Sequence, residues 1–268
     1  MKITPVFPSF GVEIEQLDLA EPIAAETALE LRRLFRAHRL LLVRGQRLGV
    51  EDQRRFIGSF ATVQQFRNGL YHTYISNVLG DPTGRDRLPF HSDAAFLPTP
   101  VWGLSLYGEE VASGSSPTTF VSSVRAWEAL DAASKERVSG LSALHILDRE
   151  PAGLNRRVRI DQLDPAAPPN RYHRAIHPIV RELGDGEDRA LFVSEFHTSH
   201  VVGIEMAVSE AMLQELFATA YAPEQVYEHH WSRDDLLVWN NVALQHGRPR
   251  TVDDAPRTLR RMVLTASL

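Results

Sequence analysis

The sequence contains no cysteine. That absence excludes disulfides, zinc–thiolate sites and cysteine-bound iron–sulfur clusters, so a metal held by this chain must be held by His, Asp or Glu. Long apolar runs are missing as well: none approaches the roughly 18 residues of a membrane-spanning helix. The stretch from Met1 to Leu19 has neither the apolar segment of a signal peptide nor an Arg- and Ser-rich transit pattern. The expectation is a cytoplasmic protein with no membrane partner. Positive charge is also scarce, with 29 Lys and Arg against 34 Asp and Glu for a net charge of −5. Such a balance supplies no field to attract nucleic acid. Internal repeats and low-complexity linkers are absent too.

What is present is enough apolar material for one large core. With 268 residues, 43% of them hydrophobic, the chain is expected to form a single domain over residues 1–268. Phe10 to Ile14 alternates like a strand, and Ala24 to His38 reads as an amphipathic helix with Leu29, Leu31, Leu34 and Phe35 as its apolar stripe. Leu40 to Gly45 suggests a buried strand ended by glycine. Glu51 to Phe60 suggests a helix with Asp52 near its start and Phe56, Ile57 and Phe60 for packing. Strand patterns then dominate, at Tyr74 to Val78, Trp102 to Tyr107, Thr118 to Val121, Ala190 to Phe196, Leu236 to Trp239 and Arg260 to Leu264. Helices are expected at Arg125 to Leu130 and Val208 to Tyr221. Many short strands without a strand–helix–strand rhythm favour a mainly β fold with peripheral helices, a cupin-like jelly roll of two antiparallel sheets. Asp148 to Arg174, rich in Arg and Pro, reads as a long excursion from that core, a lid or an insert.

The chemistry centres on His91-Ser92-Asp93. On an extended strand residues two apart project to one face, so both side chains can reach one ion. Chance alone produces on the order of one such tripeptide in a chain with 11 His, so the surroundings decide. His246 lies beyond the apolar run Leu236 to Trp239 and beside Gly247, placed to face a cavity. Two imidazoles and one carboxylate can hold one face of an octahedral ferrous ion and leave three positions open. Further on, Arg257, Leu259 and Arg261 share one face of an alternating segment while Arg260 points the other way. Arginines directed into a barrel call for anionic ligands, and a guanidinium is well shaped to grip a carboxylate. His197 with His200, His173 with His177, and His229 with His230 lack a carboxylate and an arginine in matching frame and are expected to be structural or surface residues.

Taken together, His91-x-Asp93, Thr118 followed by Ser122 and Trp127-Glu128-Ala129-Leu130, Trp239-Asn240-Asn241 with Gln245-His246, and Arg257 with Arg261 resemble the taurine dioxygenase and 2,4-dichlorophenoxyacetate dioxygenase (TauD/TfdA) family. The resemblance covers nearly the whole chain. It implies a distorted double-stranded β-helix and an oxidoreductase that uses Fe(2+), with 2-oxoglutarate and O2 as cosubstrates and with release of succinate and CO2. It assigns His91, Asp93 and His246 to iron, Thr118 and Arg257 to the distal carboxylate of 2-oxoglutarate, and Arg261 to an anionic group of the substrate. Trp239 becomes a packing residue beside the pocket. The family also implies a homo-oligomer, a dimer or tetramer. Two motifs depart from its pattern: Ser115-Ser116-Pro117 precedes Thr118 in place of Gly-Gly-Asp, and Val242 follows Asn241 in place of arginine. No histidine matches the substrate histidine of the taurine enzyme, His72 being out of register, so taurine is not the expected substrate. The expected partner is a small anionic organic molecule, a carboxylate, sulfonate or sulfate ester, undergoing hydroxylation, desaturation or C–heteroatom cleavage. Two alternatives stand beside this: a catalytically silent jelly-roll protein that binds a small organic acid, and a biosynthetic oxidase acting on an amino-acid-derived intermediate.

Overall fold

The computed structural model describes residues 1–79, 86–150, 156–184, 188–250 and 255–267. In chain order its strands begin with β1 (Lys2–Phe7), β2 (Phe10–Glu15), β3 (Leu40–Val43), β4 (Ala61–Val63), β5 (Thr73–Ser76), β6 (Leu88–His91), β7 (Gly103–Val111) and β8 (Thr118–Ser122). There follow β9 (Ser142–Asp148), β10 (Tyr172–Pro178), β11 (Val180–Glu182), β12 (Arg189–Leu191) and β13 (Thr198–Val201). The last are β14 (Tyr227–His229), β15 (Leu236–Asn240), β16 (Leu244–Arg248) and β17 (Arg257–Ser267). The helices are α1 (Ala25–His38), α2 (Val50–Gly58), α3 (Ser123–Ala129), α4 (Ala132–Val138) and α5 (Met206–Ala220). Among the described residues no helix is long and apolar enough to cross a membrane.

Two sheets build the jelly roll. The larger runs β1-β2-β3-β15-β7-β17-β4, with β5 also on β17, and the smaller runs β14-β8-β16-β6. Strand alternation decides what each face buries. From the larger sheet Leu42, Leu104, Leu106, Leu237, Trp239 and Leu259 turn inward and meet Phe120 and Leu244 of the smaller sheet. Leu41, Val43, Leu236, Val238 and Met262 turn the opposite way, where α1 and α2 cover them with Leu31, Leu34, Phe35, Phe56 and Ile57. Burying a Leu or Phe side chain contributes about 1.5–3 kcal/mol against about 1 kcal/mol net for a ladder hydrogen bond, so packing on both faces is what pins the larger sheet.

Several expected elements appear with shifted or changed edges. In α1 the buried stripe is Ala28, Leu31, Leu34 and Phe35, while Leu29 is 66% exposed. Leu29 lies only two residues from Leu31 and so falls on another side of a 3.6-residue turn. In α2, Asp52 acts as expected, its Oδ2 accepting the Gly49 amide at 2.9 Å. The run Ala190 to Phe196 is a strand only to Leu191. Beyond it the chain stays buried but irregular, with the Ser194 amide bonded to Thr198 Oγ1 at 2.7 Å, because a short apolar run marks burial without fixing backbone geometry.

The Arg- and Pro-rich excursion is the connection of a hairpin. Its ends belong to β9 and β10, which pair with Asp148 opposite Tyr172. At the neck Arg171 grips the buried Asp148 carboxylate with two hydrogen bonds of 2.9 Å. Residues 151–155 of the excursion lie outside the described residues. Farther on, Arg157 donates to the Thr198 and Ser199 carbonyls at 2.5 and 2.8 Å, and Val158 packs on Leu144 and Ile146.

Candidate metal centre and cosubstrate pocket

The two histidines meet through strand register. β6 and β16 pair with His91 opposite His246, which brings the ring centroids to 4.2 Å. Cross-strand partners on one face stand side by side, so residues distant in sequence become neighbours without any loop to guide them. Gly247 permits the closeness of these strands: a Cβ there would lie 2.9 Å from the Leu88 carbonyl oxygen and 3.2 Å from Thr119 Oγ1.

Asp93 arrives by a different route from the one its spacing suggests. β6 ends at His91, so the pleat does not carry Asp93 to the site. Asn241, fully buried, does so from the turn after β15. Its Oδ1 accepts the Asp93 amide at 2.8 Å, and its Nδ2 donates to the Asp93 and Val101 carbonyls at 3.0 and 2.8 Å. This role was not read from the sequence, although the pair Asn240-Asn241 after an apolar strand was the available signal. Asn241→Ala leaves three partly buried backbone groups without this partner and is expected to lower stability by about 2–4 kcal/mol and to weaken metal binding. Thermal unfolding with and without metal measures both, and a wild-type melting temperature would refute the role.

The resulting cluster suits a metal. One atom each from His91, Asp93 and His246 lie within 4.8 Å of one another. Asp93 Oδ1 is 3.2 Å from His91 Nε2 and 3.7 Å from His246 Nε2. The Pro89 carbonyl oxygen lies 2.9 Å from His91 Nδ1. A carbonyl can only accept, so Nδ1 carries a proton, and Nε2 is the ring nitrogen turned to the cluster, the one through which a metal would bind. Burial, helped by the neighbouring His91, lowers the His246 pKa to about 3, so that ring stays neutral. Burial opposes the charge on Asp93, but the Arg261 guanidinium beside it outweighs burial and holds the carboxyl well below its usual range. Two imidazoles and one anionic oxygen are the donors a ferrous ion takes.

The same cluster forms the wall of a cavity of about 150 Å³ whose lining includes Leu104, Leu106, Thr118, Trp239, Arg248, Arg257 and Arg261. Thr118 starts β8 in the smaller sheet and Arg257 starts β17 in the larger one, yet Arg257 Nη2 donates to Thr118 Oγ1 at 2.8 Å. Both are buried. Arg261 turns to the same cavity, and its Nη2 lies 2.5 Å from Asp93 Oδ2. Arg260 points away as expected, but into a second buried site, where it bonds Gln53, the Leu48 carbonyl and Glu109. Trp239 packs its indole edge-on to His246 at 5.1 Å, as a packing residue should. Of the remaining histidines, His229 is buried beside Asp235, and His230 is at the surface. His197 is buried with its ring 5.5 Å from that of His91, and His145 and His177 lie within 5.5 Å of each other behind it.

These buried imidazoles set a pH dependence. Burial lowers His145 as well to about 3, aided by His177. A histidine whose folded pKa is depressed takes its proton first in the unfolded chain. Its contribution to stability is full above about 6.5 and is lost as pH falls from there towards 3, at up to about 1.4 kcal/mol per pH unit for each group. The melting temperature of the metal-free protein is therefore expected to fall steadily from pH 7 to pH 5, and a flat profile would contradict the buried, neutral assignment.

Two histidines and a carboxylate on one side of a jelly roll, with open cavity before them, define the facial-triad class of non-haem iron oxygenases. Comparison with known proteins agrees. Residues 2–263 match the family described as "Taurine catabolism dioxygenase TauD, TfdA family". An alpha-ketoglutarate-dependent 2,4-dichlorophenoxyacetate dioxygenase of Cupriavidus pinatubonensis is 29% identical, with 96% of this chain and 95% of the relative covered. A tyrosine isonitrile desaturase of Pseudomonas aeruginosa is 28% identical, covering 97% and 88%. Among solved structures, AAD-2 in complex with Mn(II) and N-oxalylglycine shares the fold, with a TM-score of 0.82 at 23% identity over 100% of this chain and 98% of that one. The chain belongs to the TauD/TfdA family and is an Fe(II)/2-oxoglutarate-dependent dioxygenase. The reading as a catalytically silent binding protein falls with that assignment.

Proposed function

We propose that this dioxygenase oxidises a small anionic organic substrate, with His91, Asp93 and His246 as the iron ligands, Arg257 and Thr118 as the seat of the distal carboxylate of 2-oxoglutarate, and Arg261 as the contact for the substrate's acid group. The observation that carries the reading is the buried Arg257–Thr118 pair in the cavity that His91, Asp93 and His246 line. A guanidinium buried beside a hydroxyl is a built receptor for a carboxylate. When bound, ferrous iron and 2-oxoglutarate supply the oxidising power by decarboxylation to succinate and CO2.

The protein's own share is positional. His246 presents an unprotonated nitrogen, the Pro89 carbonyl fixes the His91 ring with its Nε2 towards the cluster, and Asn241 holds the backbone from which Asp93 extends its carboxylate. Arg257 orients the cosubstrate from one end of the cavity. Arg261 anchors the second oxygen of Asp93 and lines the same cavity, where one guanidinium can serve that carboxylate and an incoming acid group together. Leu104, Leu106 and Trp239 keep the space between them dry. The similarity to an enzyme of a phenoxyacetate supports an anionic substrate. One dioxygenase domain over residues 1–268, working in the cytoplasm, belongs to the same proposal, and the family match over residues 2–263 supports the single domain.

Succinate formation with a panel of carboxylates, sulfonates and sulfate esters tests the substrate class. In Arg261→Ala the KM for the accepted acid is expected to rise roughly 10-fold or more, the scale of a lost charge-assisted hydrogen bond, while anaerobic binding of 2-oxoglutarate changes little. Unchanged substrate affinity would remove Arg261 from the role. The likeness to a tyrosine isonitrile desaturase favours a second reading, oxidation of an amino-acid-derived intermediate in biosynthesis, and mass spectrometry of the product separates the two.

A further inference from the structure

Thr118 shows an unusual division of its hydrogen-bonding capacity. A hydroxyl has one proton to give and two lone pairs to fill. Arg257 Nη2 donates to Thr118 Oγ1 at 2.8 Å, and Trp231 Nε1 donates to the same oxygen at 3.0 Å. Neither an indole N–H nor a guanidinium can accept. Both lone pairs are thus used, and the Thr118 proton donates to no other group among the described residues. The side chain is 3% exposed and lines the cavity. A buried proton without an acceptor is costly, so the oxygen of an incoming ligand satisfies it.

We propose that Trp231 is a positioning residue for the cosubstrate: by filling one lone pair of Thr118, its indole N–H commits the threonine proton to the distal carboxylate of 2-oxoglutarate. This rests on the assignment of Thr118 and Arg257 to that carboxylate. Trp231 itself does not line the cavity and so acts through Thr118. Its ring is held from several sides. The indole stands edge-on to His229 at 4.5 Å, and the Arg257 guanidinium lies 6.0 Å from its centroid. Gly108 lets β7 close on this segment, since a Cβ there would meet the Ser232 carbonyl oxygen at 2.9 Å and Trp231 Cε3 at 3.6 Å. The turn beyond is tied by the Ser232 amide donating to Asp235 Oδ2 at 2.9 Å, and the same carboxylate pairs with Arg44 at 2.6 Å. A rigidly placed N–H of this kind removes rotational freedom from the threonine before any ligand arrives.

Trp231→Phe keeps an aromatic face beneath Arg257 and deletes the N–H. Anaerobic titration of the Fe(II)-loaded protein with 2-oxoglutarate, followed by the visible charge-transfer absorption, reads the effect. Affinity is expected to fall about 3- to 10-fold, the fold-change of one lost neutral hydrogen bond, with kcat at saturating cosubstrate within about twofold. Binding of pyruvate, a 2-oxo acid without the distal carboxylate, should not change. In a Thr118→Val background the tryptophan substitution should add nothing further, as expected for two residues acting in series. Unchanged 2-oxoglutarate affinity, equal weakening of pyruvate, or a full effect that persists in Thr118→Val would each overturn the proposal. Trp231→Tyr, which also lacks an N–H at that point, takes its place if the phenylalanine variant does not fold. Failure of the carboxylate seat itself reads differently: wild type and Thr118→Val would then bind 2-oxoglutarate alike.

Discussion

Replacing Asp93 with alanine is expected to lower succinate formation by roughly 1,000-fold or more and to abolish stoichiometric iron binding. Asp93 Oδ1 stands near both imidazole nitrogens, at 3.2 and 3.7 Å, and Asp93 is the one carboxylate of this three-residue group. Without it the ion keeps two neutral donors and loses its anionic one. Losing several kcal/mol of ligand binding, at about 1.4 kcal/mol per tenfold, accounts for the magnitude. The substitution also leaves Arg261 facing two buried imidazoles in place of its partner at 2.5 Å. The Arg261 side chain keeps 27% of its surface in contact with solvent, so the fold should survive with a modest fall in melting temperature. Iron content, succinate yield and thermal unfolding, taken on one preparation, separate loss of the metal from loss of the protein. Near-normal turnover in a folded Asp93→Ala protein would sink the ligand assignment.

The second large effect is expected at Arg257. Arg257→Met fills much of the same volume without the charge, and the KM for 2-oxoglutarate should rise roughly 30- to 1,000-fold, the range for truncating one partner of a buried charge pair. At saturating cosubstrate kcat should fall far less, because the iron ligands are untouched. Lysine should recover only part of the loss, since a point charge lacks the planar two-pronged donor set of a guanidinium. The backbone of Arg257 is held independently, its amide bonded to Asn77 Oδ1 at 2.8 Å, so the start of β17 does not depend on the side chain. Steady-state kinetics with 2-oxoglutarate varied at fixed substrate measure the effect. A KM shift confined to the substrate, with 2-oxoglutarate unaffected, would transfer Arg257 to the other ligand.

The two arginines of that strand were legible in advance because alternation is a local property: Arg257 and Arg261 had to share a face, whatever that face met. Alternation also exposed the core positions of the larger sheet. It could not show that Leu29 would leave the α1 stripe for solvent, or that Phe192 to Phe196 would be buried without being a strand, since burial there follows from neighbours supplied by other elements. The Asp93 placement is the clearest case. Spacing alone suggested a shared strand face, whereas the strand stops at His91 and a hydrogen-bonding side chain 148 residues away supplies the positioning.

By itself, then, the sequence determined the chemistry available to this protein: no thiolates, two histidines and an aspartate as donors, two arginines on one strand face, and a mainly β chain to carry them. These follow from composition and from periodicities of two and 3.6 residues, which need no knowledge of the rest of the molecule. Only the tertiary structure decided that His246 stands opposite His91, that Arg261 rests against Asp93, that Arg257 and Thr118 meet across two sheets, and that Trp231 fills the threonine's second lone pair. The reason is physical: register and lone-pair filling depend on which distant segments are brought to hydrogen-bonding distance, and local periodicity is blind to that choice.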